Sequence, residues 1–392
     1  MNKPQNTAKN KENNLLELSL LFLRLGCTAF GGPAVHIALM REEIVNKRKW
    51  IEEQHFLDLI GATNLIPGPN STEMAIHIGQ ERAGIKGLLL AGLCFILPAV
   101  ILTTLIAWIC KDYGQLPQVK PLLLGIKPTI IAVILAAIYP LGKKAVKNTQ
   151  TALFGISALI LCLLGVSEVL VLFGFGFLAL AISWISSPPV PPASSSAPGS
   201  SPSSTGSSSP PPFTANLLPL VGISNYNLLF TFLKIGAILY GSGYVLFAFL
   251  DSELVAKGLI SRQQLLDAIA VGQFTPGPVF SAVSFIGYQI NGLRGAAVST
   301  LGIFLPAFVF VALLNPFVKK MRGSLHFTAF LDAVNVAAIA LILVVCFNMG
   351  KEVLTDPKSI ALGILALIIS FSFKKLNSVW ILLGSALFGY FM

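Results

Sequence analysis

Two Pro-Gly-Pro triplets lie inside apolar stretches of this chain, and their residues could bind an anion. The first is part of "NLIPGPNSTEMA" (64–75) and the second is part of "QFTPGPVFSAVS" (273–284). Proline removes a backbone hydrogen bond and clashes with the preceding helical turn, so each triplet predicts a break in a helix. A helix that begins after such a break presents free N–H groups and the positive end of its dipole, both of which suit an anion.

A second pair of breaks is expected at "GGP" (31–33) and at "GSG" (241–243), which occupy matching places in the two halves of the chain. Broken helices at corresponding positions of a repeat are typical of a transporter's substrate site. The alternative is that these glycines and prolines are kinks and close-packing points of ordinary membrane helices. The residues predicted to bind substrate at the breaks are Gly31, Gly32, Pro33, Asn64, Pro67, Gly68, Pro69, Asn70, Gly241, Gly243, Gln273, Pro276, Gly277 and Pro278.

Two cations lie at matching positions within apolar runs, Arg24 in "FLRLG" and Lys234 in "FLKIG". A cation exposed at the centre of a bilayer costs roughly 2.5–3.5 kcal/mol, so such residues usually face a cavity or a partner. We expect both to supply positive charge to the path of an anion. The alternative is that they reach the membrane interface or pair with a carboxylate there.

Four titratable residues near the triplets are candidates for coupling proton movement to transport. Asp58 and Asp267 occupy matching places, whereas Glu73 and His77 stand four residues apart after the first triplet only. A carboxyl group that loses its water can exchange protons in the working range of pH. Asp58 and Asp267 could instead cap helices.

Composition indicates an all-α polytopic membrane protein, because 54% of the residues are hydrophobic and only 11% are charged. The net charge of +10 does not indicate nucleic-acid binding, since the basic residues are spread through short loops. There is no zinc-protease motif, nucleophile elbow or paired His/Cys spacing in the sequence. We therefore expect no enzyme activity, no metal and no cofactor.

The chain contains an internal duplication, which divides it into four regions. "GIKGLLLAGLCFILPA" (84–99) matches "GLRGAAVSTLGIFLPA" (292–307), and the two triplets lie 209 residues apart. Ser186 to Pro212 contains 12 Ser and 9 Pro without a charge, which is typical of a linker. The predicted regions are a polar tail (1–14), a first transporter repeat (15–185), a Ser/Pro-rich linker (186–216) and a second repeat (217–392).

The basic loops predict that the two repeats enter the membrane in opposite orientations. "KKAVK" (143–147) follows one apolar run, whereas "KKMR" (319–322) comes one run earlier in the second repeat. Both loops can face the cytoplasm if each repeat has an odd number of spans. The expected architecture is two homologous, inverted halves with about ten spans plus broken or re-entrant Pro-Gly-Pro segments, in which the run 151–185 forms two short helices.

The first half resembles the chromate ion transporter family, and the whole chain is similar to that family's long form with two fused domains. The residues that resemble it are "FLRLGCTAFGGPAVHIALMREEIV", "NLIPGPNSTEMAIHIG" and "GLLLAGLCFILPA". The resemblance implies proton-coupled movement of chromate across the inner membrane, usually outward to confer resistance, with sulfate as a competing dianion. A sulfate importer and an anion channel are the alternatives. Besides these anions and membrane lipid, a second copy in a homodimer is a compatible partner.

Overall fold

The structure is a computed structural model that describes the backbone of residues 4–30, 32–113, 119–186, 224–240, 243–321, 325–373, 376 and 378–391. Within these ranges the chain forms helices and no strands. The helices of the first half are α1 (Pro4–Thr28), α2 (Pro33–Arg41), α3 (Glu53–Thr63), α4 (Asn70–Tyr113), α5 (Val119–Ala145), α6 (Thr149–Leu163) and α7 (Glu168–Ser186). Those of the second half are α8 (Asn225–Ile238), α9 (Val245–Leu250), α10 (Arg262–Phe274), α11 (Ala282–Met321), α12 (Leu325–Val353), α13 (Pro357–Ser372) and α14 (Ser378–Phe391).

The two halves repeat each other helix by helix, from α1 with α8 to α7 with α14. Even local end structures recur: Asn148 caps α6 and Asp356 caps α13, each by accepting a hydrogen bond from a backbone N–H three residues later. The division of 151–185 into two helices is confirmed, since α6 and α7 meet there. The predicted linker 186–216 lies outside the described residues beyond Ser186, where α7 ends.

Helices α4 and α11 are each a hairpin of two antiparallel arms. Both have a non-helical pair of residues in their interior, and Gly84 (φ +61°) and Gly292 (φ +60°) adopt a left-handed backbone that favours glycine. The arms touch across glycines, because a Cβ added to Gly79 would collide with the carbonyl oxygen of Gly87. Gly287 and Gly295 make the same contact in α11. The first arm of α4 spans 70–82 and the second spans 85–113.

Helices α1 and α2 form another hairpin, whose tip is the break after Thr28. The chain continues from α2 into a π-helical segment (Glu42–Lys47). It returns beside α1, where Arg48 forms an ion pair with Glu17. The second half has the same hairpin: α9 continues into a π-helical segment (Asp251–Val255) that runs back along α8.

Five described helices are long and apolar enough to cross a bilayer, judged by length and composition. Three further apolar helices, α6, α13 and α14, have 14 to 16 residues. Many apolar side chains on these helices point outward, as expected where lipid is the solvent. The chain is therefore an all-α, multi-pass membrane protein. By that criterion the candidate segments are 70–112, 125–145, 168–185, 279–313 and 326–353, of which 70–112 and 279–313 contain the two arms of a hairpin.

The two halves exchange their last two helices, because the last two helices of each half pack against the other half. α5 of the first half packs against α13 and α14, and α12 of the second half packs against α6 and α7. The hairpins α4 and α11 pack directly on each other, and α5 also contacts α12. The exchange buries a continuous apolar core that contains residues of both halves.

Candidate functional site

The two Pro-Gly-Pro triplets dock reciprocally on the opposite halves of the chain. The N–H of Gly68 donates to the carbonyl oxygen of Leu239 at 2.8 Å, just after α8. The N–H of Gly277 donates to the carbonyl oxygen of Ala29 at 2.9 Å, just after α1. Each triplet therefore meets the break that follows the first helix of the other half. We call this place, made by Pro67–Pro69, Pro276–Pro278, Ala29 and Leu239, the crossing.

The crossing requires glycine at the centre of each triplet, because the backbone conformation there and the lack of space for a side chain exclude other residues. Gly68 and Gly277 have φ values of +142° and +88°, a region that side chains with a Cβ rarely adopt. A Cβ on Gly277 would lie 3.0 Å from the Cβ of Ala99, and one on Gly68 would collide with Oε1 of Glu73. The flanking prolines are buried and cannot continue a helix.

Buried polar groups without partners lie on the helix that begins directly after the first triplet. Thr72, Glu73 and His77 are completely buried on the first arm of α4. Both carboxylate oxygens of Glu73, both ring nitrogens of His77 and the hydroxyl of Thr72 have no hydrogen-bond partner among the described residues. Such burial costs a few kcal/mol per polar group and more for a charged one, so these residues do not serve stability. They are the groups that a ligand or a proton would satisfy.

The second triplet has an apolar environment at the equivalent positions. Ala282 and Ile286 replace Glu73 and His77 and are buried. Phe280, directly after the triplet, packs against Phe304 with ring centroids 6.2 Å apart. The two triplets are alike in backbone but different in chemistry.

The predicted glycines and amides of the breaks take several roles. Gly32 is the N-cap of α2 with φ +83°, and Pro33 is its first residue. Asn64 is exposed and accepts a hydrogen bond of 2.7 Å from Asn70, whereas Gln273 is buried. Gly243 is buried beside Phe280. The predicted positions Gly31 and Gly241 lie outside the described residues.

Arg24 and Lys234 lie on exposed faces of α1 and α8, each near a carboxylate of the same hairpin. Lys234 forms an ion pair of 2.5 Å with Glu253, and Arg24 is close enough to Glu43 to act on its charge. The ion pair of Lys234 joins the two sides of its hairpin and favours the structural alternative for that cation, and the matching placement of Arg24 and Glu43 favours it for Arg24.

Asp58 and Asp267 do not cap helices, since both lie in the interior of α3 and α10. Asp267 forms an ion pair of 3.5 Å with Lys127 of α5 and therefore links the two halves. Among the four proton-coupling candidates, the structure places Glu73 beside Gly68 of the crossing, and His77 follows one turn further along the same arm of α4.

Three aromatic residues near the crossing were missed by sequence reasoning. His36 is buried, with Nε2 3.1 Å from the carbonyl oxygen of Ala29 and with Nδ1 unpartnered among the described residues. Tyr240 lies within electrostatic range of Glu73, and Tyr244 lies near Gly32. The only signal in the sequence was their position within three residues of a glycine break.

A cleft of about 390 Å³ lies at the other end of the hairpin formed by α3 and the first arm of α4. His55 and Glu81 join the two helices there at 2.7 Å, and Arg82 stacks over Trp50 with 4.7 Å between guanidinium and ring centroid. Its lining contains two carboxylates, Glu52 and Glu81, which disfavour an anion. The unpartnered polar groups therefore identify the site better than the cleft does. In the described ranges no three His, Cys, Asp or Glu residues are arranged to hold a metal ion.

The family model of the chromate transporter matches this chain twice, over residues 16–180 and 226–390. A chromate transport protein of Cupriavidus metallidurans is 30% identical over 96% of this chain and 92% of its own length. A probable chromate transport protein of Synechococcus elongatus is 28% identical, over 96% of this chain and 95% of its own. A chromate transport protein of Pseudomonas aeruginosa is 26% identical, over 95% and 91%.

No solved structure matches the chain. The two family matches begin and end 210 residues apart and cover α1–α7 and α8–α14 nearly completely. The duplicated helices, the paired Pro-Gly-Pro breaks and these relatives agree, and the chain belongs to the chromate transporter family.

Proposed function

We propose that this chain is a secondary transporter that moves chromate across the inner membrane through the crossing. The observation that carries the proposal is the set of unpartnered polar groups at Thr72, Glu73 and His77, on the helix that begins at a triplet buried between the two halves. A soluble anion that enters such a site exchanges its water for fixed donors. The names of the relatives indicate which anion is involved.

The N-termini of α2 and of the first arm of α4 would provide the attraction for the dianion. Both helices begin at the breaks, at Pro33 and Asn70, and the first N–H groups of a helix have no partner within that helix. Their dipoles place partial positive charge at the same ends. Arg24 and Lys234 are not needed for this attraction, since they are already close to carboxylates.

Glu73 is the residue that we propose as the proton carrier. An ionised Glu73 would repel a dianion at the first triplet, because like charges in a medium of low dielectric interact strongly. A protonated Glu73 would not repel it, and its O–H could donate a hydrogen bond to an oxyanion. Binding of chromate is thereby linked to uptake of a proton by the same site. Outward transport would confer resistance to chromate; in such a cycle one proton leaves with each dianion, and the interior-negative membrane potential drives the net negative charge outward.

The enclosed crossing favours a transporter over an open channel. The triplets and Ala29 and Leu239 are buried, so the crossing is closed to solvent in this conformation. A transporter needs such an occluded state, whereas a conducting channel needs a continuous pore. A change of conformation would then open the crossing to each side in turn.

Counterflow in proteoliposomes tests the proposal. Vesicles that contain the purified protein and unlabelled chromate should accumulate labelled chromate well above empty vesicles. Sulfate inside the vesicles should replace chromate poorly. Strong counterflow with sulfate and little with chromate would instead identify a sulfate transporter, and a conductance far above transporter turnover in a planar bilayer would identify a channel.

A further inference from the structure

The second half contributes two buried polar side chains next to a break of the first half. Tyr244 is 9% exposed, and a Cβ added to Gly32 would lie 3.9 Å from its hydroxyl. Gln273 is 6% exposed, and its side chain is hydrogen-bonded to the hydroxyl of Tyr244. Both residues belong to breaks of the second half, yet they lie beside the N-terminus of α2 in the first half.

Gln273 has hydrogen-bonding capacity that the described protein does not use. Its Nε2 atom is buried and completes no hydrogen bond within the described ranges. A buried amide donor that lacks a partner destabilises a folded protein. Asn64, at the equivalent position of the first half, avoids this cost because it is exposed to solvent. An unused donor in this position points to a ligand.

The equivalent positions in the first half lack this arrangement. Tyr244 corresponds to Ala34, which has no donor, and Gln273 corresponds to the exposed Asn64. The polar groups near the second triplet are therefore directed toward the break of the first half, while the second triplet itself packs against Ala99 and has Phe280 behind it.

We infer that each chain has one oxyanion site, which both halves build together: Gln273 of the second half, held in place by its hydrogen bond with Tyr244, donates from Nε2 to an anion held at Gly32 and the first triplet. The inference rests on the proposed function and deepens it. An amide NH₂ is a donor, and a tetrahedral dianion offers only acceptors, so the two are complementary. The second triplet then serves mainly to hold Ala29 in place.

The test is equilibrium binding of labelled chromate, and of labelled sulfate in parallel, to the purified full-length protein. The wild type should bind one dianion per chain. Gln273→Leu should weaken binding about ten- to a hundred-fold, the effect of removing one hydrogen bond to a charged group. Tyr244→Phe should weaken binding less, because it removes only the contact that holds Gln273 in place. The apparent KM for transport should rise by the same factor, with a smaller change in the maximal rate.

A matched variant and a stability measurement separate binding from folding. Tyr226→Phe makes the same chemical change at a tyrosine of the same half that is 73% exposed, and it should bind like the wild type. Gln273→Leu should unfold at an equal or higher temperature than the wild type, because it removes an unpartnered amide. A purely structural glutamine would give the opposite result.

Four outcomes would overturn the inference. Two dianions bound per wild-type chain would show a second site, and unchanged affinity in Gln273→Leu would remove the proposed donor. A lower unfolding temperature for Gln273→Leu would mark Gln273 as a structural residue. These three results leave chromate transport intact as a proposal. Wild-type protein that binds neither anion would overturn this inference and the proposed function together.

Discussion

Glu73 and Lys234 are both ionisable residues within apolar helices, but their surroundings differ. Lys234 lies on an exposed face and forms an ion pair of 2.5 Å with Glu253, so its charge is compensated locally. Glu73 is fully buried, and neither of its carboxylate oxygens has a hydrogen-bond partner among the described residues. The protein provides no hydrogen bond that offsets the free-energy cost of burying Glu73, and such burial is typical of a residue that takes part in function.

Glu73→Gln should uncouple protons from the anion while leaving the fold intact. The amide has the same shape as the carboxyl group but cannot exchange a proton. We expect transport of chromate down its gradient to continue, at least ten times more slowly if proton transfer limits the cycle. A pH indicator inside proteoliposomes should no longer respond to a chromate gradient.

Glu81→Gln is the control for that experiment, because Glu81 lies on the same arm of α4 but pairs with His55 in the cleft beside Trp50. It should retain both chromate transport and proton movement. If Glu73→Gln moves as many protons per chromate as the wild type, the proton carrier is another group.

Lys234→Gln and Arg24→Gln test whether the two cations serve the fold or the anion. Lys234 and its partner have side chains that are 50% and 13% exposed, so the pair contributes on the order of 1 kcal/mol or less. Both variants should therefore unfold at slightly lower temperature and keep the wild-type apparent affinity for chromate. A ten-fold loss of affinity in Arg24→Gln, with normal insertion, would instead place Arg24 on the anion path.

The helical hairpins are the elements that place the breaks at the centre of the molecule. The repeated positions of glycine and proline were sufficient to predict the breaks, since few other residues tolerate such backbone. The contacts Gly79 with Gly87 and Gly287 with Gly295 were not predictable, because a glycine at a close approach looks in sequence like any other glycine of a membrane helix. The ion pair of Lys234 with Glu253 was unpredictable for a similar reason: it depends on how the hairpin folds back.

Gly79→Ala should open the α4 hairpin and disturb the crossing. An added methyl group would collide with the carbonyl oxygen of Gly87, which is backbone and cannot rotate away. We expect a loss of roughly 1–3 kcal/mol of stability and a large loss of transport. Gly174→Ala is the matched control, since nothing lies within 4 Å of the methyl group that it adds to α7. Equal unfolding temperatures for the two variants would show that the arms of α4 do not touch in the membrane.

At the scale of the whole molecule, the two halves depend on each other. α5 packs on α13 and α14, α12 packs on α6 and α7, and each triplet docks on the other half. The duplication could be read from the sequence, but this exchange could not, because a repeat pattern contains no information about which copy a helix packs against. The hydrogen bond between Gly68 and Leu239 could not be predicted for the same reason, since it joins positions far apart in sequence.

The predicted inversion of the halves can be tested on two equivalent loops. Asn148 and Asp356 are the matching N-caps of α6 and α13, so inverted repeats must place their loops on opposite faces of the membrane. In a variant without the native cysteines, Lys144→Cys should react with an impermeant thiol reagent only in inside-out vesicles. Thr355→Cys should react in intact cells. Labelling of both sites from the same side would show that the halves are parallel.

The location of the anion is the central claim, and an experimental structure with chromate bound tests it most directly. Chromium scatters X-rays anomalously, so a difference map at its absorption edge identifies the ion without interpretation of its shape. We predict a single peak per chain, between Gly32, the first triplet and the side chains of Tyr244 and Gln273. A peak in the cleft at Trp50, or equal peaks beside Gly68 and Gly277, would contradict the account.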